Sequence, residues 1–220
     1  MDVYQTEEQQ VEAIKGYWKE NGNAIIAGLV IGFSAFIGFN VYKDNQFEQE
    51  VAVSESFQNV MEKADNDGEA YKTAGDKFIA ENAESSYASL TALALAKDAA
   101  SHKDWAQAEK YLNSAISAAK DEGVKGIATT RLARVQLQLE QADKALATLS
   151  VQLPASFKAA VEEIKGDAYL QQGKKDLART AYQVAIDSEG QAANQVLKMK
   201  LNNLTQVVNL TAPVSSPVNK

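Results

Sequence analysis

The chain has 220 residues, a net charge of −7 and no cysteine, so disulfide cross-links and thiolate metal sites are excluded. Its 22 basic side chains are outnumbered by 29 acidic ones, which leaves no basic field suited to nucleic acid. Only three prolines occur, and Pro213 and Pro217 lie in the last eight residues; elsewhere Ala, Gln, Lys, Glu and Leu predominate, a composition that favours helix.

Residues 1–23 form an acidic leader, in which Asp2, Glu7, Glu8, Glu12 and Glu20 outweigh Lys15 and Lys19. The next stretch, 24–42, reads AIIAGLVIGFSAFIGFNVY and carries no charge. As a helix it rises about 28 Å, close to the thickness of a bilayer's hydrocarbon core. A cleavable signal has a shorter apolar core, a brief basic leader and a small-residue cleavage site. This run has none of the three, so an uncleaved transmembrane anchor is expected. Tyr17, Trp18 and Tyr42 fall where interfacial aromatics belong. Two lysines precede the anchor and Lys43 follows it, which favours a cytoplasmic N-terminus. The 178 residues beyond Tyr42 are enough for a domain, and exporting them places that domain in a bacterial periplasm. Within the anchor, Gly28, Gly32 and Ala35 share one face, a spacing that lets another membrane helix approach closely. Phe33, Phe36 and Phe39 are then expected to face lipid or a second partner.

From Phe47 the pattern is helical with short polar turns. Expected helices are Phe47–Ala64, Glu69–Glu81, Ser86–Ser101, Trp105–Lys120, Lys125–Leu139, Ala142–Leu153, Ser156–Gln172, Lys175–Ser188 and Gln191–Val208. No segment alternates at period two, so no sheet is expected. The organisation read from this is a leader (1–23), an anchor (24–42), an all-α helical domain (43–208) and a disordered tail (209–220).

The helices repeat. Between Gly166 and Ile186, Gly166, Tyr169, Gly173, Ala178, Tyr182 and Ala185 stand at the spacings of a tetratricopeptide repeat. Small residues let two antiparallel helices approach, tyrosines fill the gaps, and Gly173 permits the turn between them. Weaker copies contain Trp105, Ala108, Leu112 and Ala115, and Ala142, Ala145, Leu149 and Leu153. Their reference alanines, 108, 145 and 178, recur at intervals of 37 and 33. An irregular copy places Ala74, between Tyr71 and Phe78, 34 residues before Ala108. The fold expected is an α-solenoid, with Val196, Leu197, Leu201, Leu204 and Val208 forming the buried stripe of a C-terminal cap helix.

In such arrays the first helix of each pair lines a concave groove. The register places Lys97, Thr130, Arg134, Gln138, Glu163, Asp167 and Gln171 there, a mixture of both charges and amides suited to varied protein partners. Residues for catalysis are scarce. His102 is the only histidine and falls in an inter-helix turn; Glu7-Glu8 and Glu162-Glu163 are adjacent on helices and point about 100° apart. No cofactor motif or metal-binding spacing occurs, so a non-enzymatic protein without a cofactor is expected.

The leader-to-anchor segment EEQQVEAIKGYWKENGNAII, especially Gln9-Gln10-Val11-Glu12 and Tyr17-Trp18-Lys19-Glu20-Asn21-Gly22, followed by an Ala-rich repeat array, resembles the YfgM family of ancillary subunits of the bacterial Sec translocon. The resemblance covers nearly the whole chain. It implies a type II inner-membrane protein that associates with the translocon and with a membrane-anchored periplasmic prolyl isomerase. It also implies that secreted client chains are handed to periplasmic chaperones, and a link between the leader and stress-response regulation. Without it, the residues suit equally an envelope adaptor in division or wall assembly.

Overall fold

The computed structural model describes residues 7–64, 68–189 and 194–206, and the helices it contains divide between two compact units, 1–54 and 55–220. The first unit consists of most of α1, Glu7–Met61. The leader from Glu7, the apolar span and the segment from Phe47 are one uninterrupted helix, where the sequence pattern suggested separate pieces. The physical reason is cooperativity. Once the apolar span has met the cost of nucleation, each added residue contributes a hydrogen bond, and no proline interrupts the run. The span is long and apolar enough to cross a membrane.

The second unit continues with α2 (Gly68–Glu81), α3 (Ser86–Ser101), α4 (Trp105–Ala118), α5 (Glu122–Gln138), α6 (Ala142–Thr148), a 3-10 turn (Ala155–Phe157), α7 (Lys158–Gln171), α8 (Lys175–Glu189) and α9 (Gln195–Gln206). No strand occurs among the described residues. Side chains set several helix starts: Ser85 accepts from the Tyr87 amide, Asp104 from Gln107 and Asp121 from Val124. The Asp121 cap begins α5 three residues before the expected Lys125. Asp65 to Asp67, residues 191–193, Val208 and the tail 209–220 lie outside the described residues.

Helices α3 and α4, α5 and α6, and α7 and α8 pack as pairs, and α3, α5 and α7 pack in succession. The turn inside each pair is the same motif. Lys103 (φ 63°), Glu140 (φ 59°) and Gly173 (φ 74°) adopt the left-handed conformation at spacings of 37 and 33, each five residues before its reference alanine. In each case the next amide returns to the carbonyl five residues back: Asp104 to Ala99, Gln141 to Gln136 and Lys174 to Tyr169, at 2.8–2.9 Å. Only the third turn uses glycine. The other two accept the steric cost of a Cβ there.

The repeat alanines Ala108, Ala145 and Ala178 are fully buried, and so are Ala133 and Tyr182. A Cβ on Gly166 would collide with the Tyr182 ring, so glycine is what allows α7 and α8 to close around that ring. At the irregular first copy, the tight position is Gly75, not the half-buried Ala74: a Cβ there would lie 2.8 Å from Leu95 Cδ1. Phe57, near the end of α1, packs on Phe78 and Tyr87 at centroid distances of 6.3 and 5.0 Å. At the other end Leu197 and Leu204 of α9 join Ala178, Tyr182 and Ala185 in one core, with Leu201 against it. Val196 departs from the expected stripe and is exposed, because it lies about 100° round the helix from Leu197. Helix α6 also departs from expectation, ending at Thr148 instead of Leu153.

Replacement of Gly166 by Ala is expected to lower stability by up to about 2 kcal/mol, since overpacking against a buried ring costs roughly 1–3 kcal/mol and helix propensity returns only about 1. Glu140→Gly, at an exposed left-handed position, should raise stability by about 1 kcal/mol. Denaturant melts of the full chain in detergent micelles measure both.

Candidate partner-binding groove

Successive i, i+3 and i+4 positions on α5 and α7 turn Arg134, Leu137 and Gln138 toward Glu163, Asp167, Leu170 and Gln171, and α9 adds Lys200. These eight residues line an open groove of about 470 Å³. Leu137 and Leu170 contribute apolar surface between the polar groups. Gln171 ties the two walls together by donating from Nε2 to the Leu137 carbonyl at 3.0 Å.

Charge in the groove is organised around Lys200. Its Nζ lies 2.8 Å from Glu163 Oε1 and 2.8 Å from Asp167 Oδ2, and 5.8 Å from the centre of the Tyr182 ring. The other oxygen of Asp167 accepts from the Tyr182 hydroxyl at 2.7 Å. Thus the ring that fills the α7–α8 crossing also holds a groove carboxylate by its polar end. Arg134 approaches Glu163 Oε2 only at 3.8 Å and is 52% exposed, which leaves its guanidinium open to solvent. Two cations and two anions make the site formally neutral.

Burial, followed by the hydrogen bond to Asp167 and the charges of Asp167 and Glu163, pushes the Tyr182 hydroxyl well above the usual tyrosine range. For Lys200 burial acts in the opposite direction, but the two carboxylates outweigh it and hold the ammonium above its ordinary value.

Of the seven groove residues expected from sequence, Arg134, Gln138, Glu163, Asp167 and Gln171 come together. Lys97 is exposed on α3 but does not line this groove. Thr130 is buried and its hydroxyl donates to the Gly126 and Ile127 carbonyls of its own helix, so it presents no surface. Lys200 was the residue missed. Its spacing held the signal: three residues after Leu197 and four before Leu204, it flanks the buried stripe of α9. His102 caps the end of α3, its Nδ1 lying 2.9 Å from the Asp98 carbonyl and 3.3 Å from Ser101 Oγ. Serine and acid both meet the same ring nitrogen, whereas a proton relay needs one on each.

In the first unit, Gly28, Leu29, Gly32, Phe33 and Phe36 border a shallow notch of about 360 Å³. A Cβ on Gly28 or Gly32 would meet nothing within 4 Å. Ala35 does not line the notch. Phe33 and Phe36 form its walls instead of facing away, because Phe36 continues the i+4 column of the two glycines.

Stability conferred by Lys200 and Tyr182 should be complete below about pH 10, the ordinary tyrosine range, and decline as pH rises above it, since both folded-state values are raised. Tyr182→Phe is expected to cost about 1.5–3 kcal/mol at pH 7 through loss of a hydrogen bond to a carboxylate. The gap between the two proteins should narrow above pH 10 in denaturant melts taken across that range.

A family model for the tetratricopeptide repeat-like domain matches residues 15–206. A protein of Escherichia coli K12 named ancillary SecYEG translocon subunit is 34% identical over 206 residues, covering 93% of this chain and all of the relative. Those of the same name from Haemophilus influenzae (34% identical, 90% and 97% covered) and Neisseria gonorrhoeae (29%, 93% and 100%) align over similar lengths. With the paired helices, the repeated turns and the apolar N-terminal helix already in place, the chain belongs to the YfgM family of tetratricopeptide repeat-like ancillary SecYEG translocon subunits.

Proposed function

We propose that the chain is a membrane-anchored scaffold of the Sec translocon that receives protein partners in the groove between α5, α7 and α9. The observation that carries this reading is the near full-length similarity to ancillary SecYEG translocon subunits, which includes both the apolar helix and the repeats. In this reading the N-terminus is cytoplasmic, 24–42 crosses the inner membrane, and 43–208 works in the periplasm. Its partners there are a membrane-anchored prolyl isomerase, periplasmic chaperones and the emerging secreted chains passed to them. The groove supports such a role by its chemistry. Apolar surface from Leu137 and Leu170, the amides of Gln138 and Gln171 and an open guanidinium at Arg134 offer adaptable contacts, and the two carboxylates are already engaged by Lys200 and Tyr182. No cofactor enters the mechanism.

The notch at Gly28 and Gly32 supports a separate contact with a membrane helix of the translocon. Small residues there permit close backbone approach, and Phe33 and Phe36 supply walls.

Two measurements test the reading. Protease added to spheroplasts should remove the bulk of the chain and leave a small membrane-embedded N-terminal fragment; protection of the large domain overturns the orientation. A photo-crosslinker at Gln138 should capture the translocon or a periplasmic partner. Arg134→Glu should weaken that crosslink severalfold with little change in melting temperature, because this exposed side chain makes only the 3.8 Å contact. If Arg134→Glu changes nothing and Gly28→Ile with Gly32→Ile abolishes association, the membrane helix is the contact and the groove is not. Contact with wall-synthesis proteins alone overturns the translocon assignment.

A further inference from the structure

Helix α6 is seven residues long, against 14 in α4 and 15 in α8. Its early end follows from local sequence. Val151 is β-branched, and Leu153 precedes Pro154, which disfavours the helical region for it. Residues 151–154 therefore run without regular structure into the 3-10 turn. The amides of Val151, Gln152 and Leu153 have no hydrogen-bond acceptor among the described residues.

A cleft of about 360 Å³ opens between this loop and α7. Its apolar surface comes from Leu149, Val151, Leu153 and Val161, and two cations, Lys158 and Lys165, border it. No acidic side chain lines it, in a chain whose net charge is −7. Lys165 is paired to Glu162 at 2.7 Å, whereas Lys158 is exposed and has no ion-pair partner among the described residues.

We propose that this cleft is a second protein-docking site, one that takes an extended peptide segment alternating apolar and acidic residues. Apolar side chains pack on Leu153 and Val161, and carboxylates meet Lys158 and Lys165. Carbonyls of the bound segment accept from the amides of Val151 and Leu153, two residues apart and both lining the cleft, as in the addition of a strand to an exposed edge. Main-chain donors at alternate residues favour a peptide over a lipid surface, because an extended polypeptide repeats its acceptors at the same two-residue interval. The cleft shares no residue with the groove around Lys200, so the proposal does not rest on the function assigned to that groove.

The test uses the full chain in detergent micelles and a fluorescein-labelled peptide of alternating glutamate and leucine, with lysine–leucine and glutamate–serine peptides as controls. Fluorescence anisotropy should show binding of the glutamate–leucine peptide over both controls. Lys158→Glu with Lys165→Glu should weaken it by roughly tenfold or more. Leu153→Asp should do the same, and Arg134→Glu should leave it unchanged. Hydrogen exchange at Val151 and Leu153 should slow when the peptide binds. Equal binding of the lysine–leucine peptide, indifference to the lysine reversals, or unchanged exchange at Val151 and Leu153 overturns the proposal. Displacement of the peptide by phosphatidylglycerol added to the micelles, without protection of those amides, assigns the cleft to lipid and likewise overturns it.

Discussion

Everything in the helical domain depends on how closely the two helices of a pair can approach. At the α7–α8 crossing the constraint is met by Gly166, which has no Cβ to strike the Tyr182 ring, and by Ala178, which is fully buried beside it. Ala133 and Ala145 share a core with Leu149 and Ile164 in the preceding pair. Where side chains are this small, the backbones of α7 and α8 come near enough for the Tyr182 ring to fill the space between them. Each pair then buries its remaining apolar face only against its neighbours, so the array needs an end. Helix α9 supplies it with Leu197 and Leu204.

That terminal packing creates the groove's electrostatics. Seating Leu197 and Leu204 on Tyr182 carries Lys200 to the two carboxylates of α7, and the Tyr182 hydroxyl takes the remaining oxygen of Asp167. One aromatic side chain thereby links the core to the groove. The acids are held by internal partners, and Arg134 is the charge left facing solvent. The neutral balance distinguishes this groove from the cleft beside α7, where Lys165 is paired to Glu162 and Lys158 has no ion-pair partner among the described residues.

A single irregularity produces the second surface. The Schellman turn at Glu140 launches α6 in the same register as the other second helices, with a hydrogen bond from Gln141 to Gln136 matching those at Asp104 and Lys174. The pair begins as the others do and then stops after Thr148. The interval of 37 residues between Ala108 and Ala145 belongs to the preceding connection, so the truncation of α6 does not disturb the reference positions. Packing of Leu149 into the core holds the break in place, since it joins Ala133, Ala145 and Ile164.

Much of this was legible in one dimension. The uncharged run at 24–42 is set by composition alone, because a helix's apolar length needs no partner to define it. The repeat register is likewise local: Gly166, Ala178 and Tyr182, and the intervals between Ala108, Ala145 and Ala178, encode helix spacing directly. The leader's continuity with the anchor, the burial of Thr130 and the absence of Lys97 from the groove were not legible in that register. Neither was the recruitment of Lys200. Each depends on how a helix is rotated against its neighbours, and periodicity says which residues share a face but not what that face meets. Sequence by itself determined the helical repeat and the small residues of its clearest crossing, Gly166 and Ala178, because both follow from spacing along one chain. Tertiary structure alone decided which charges converge, because Lys200 and Asp167 are 33 residues apart and meet only when α9 closes over Tyr182.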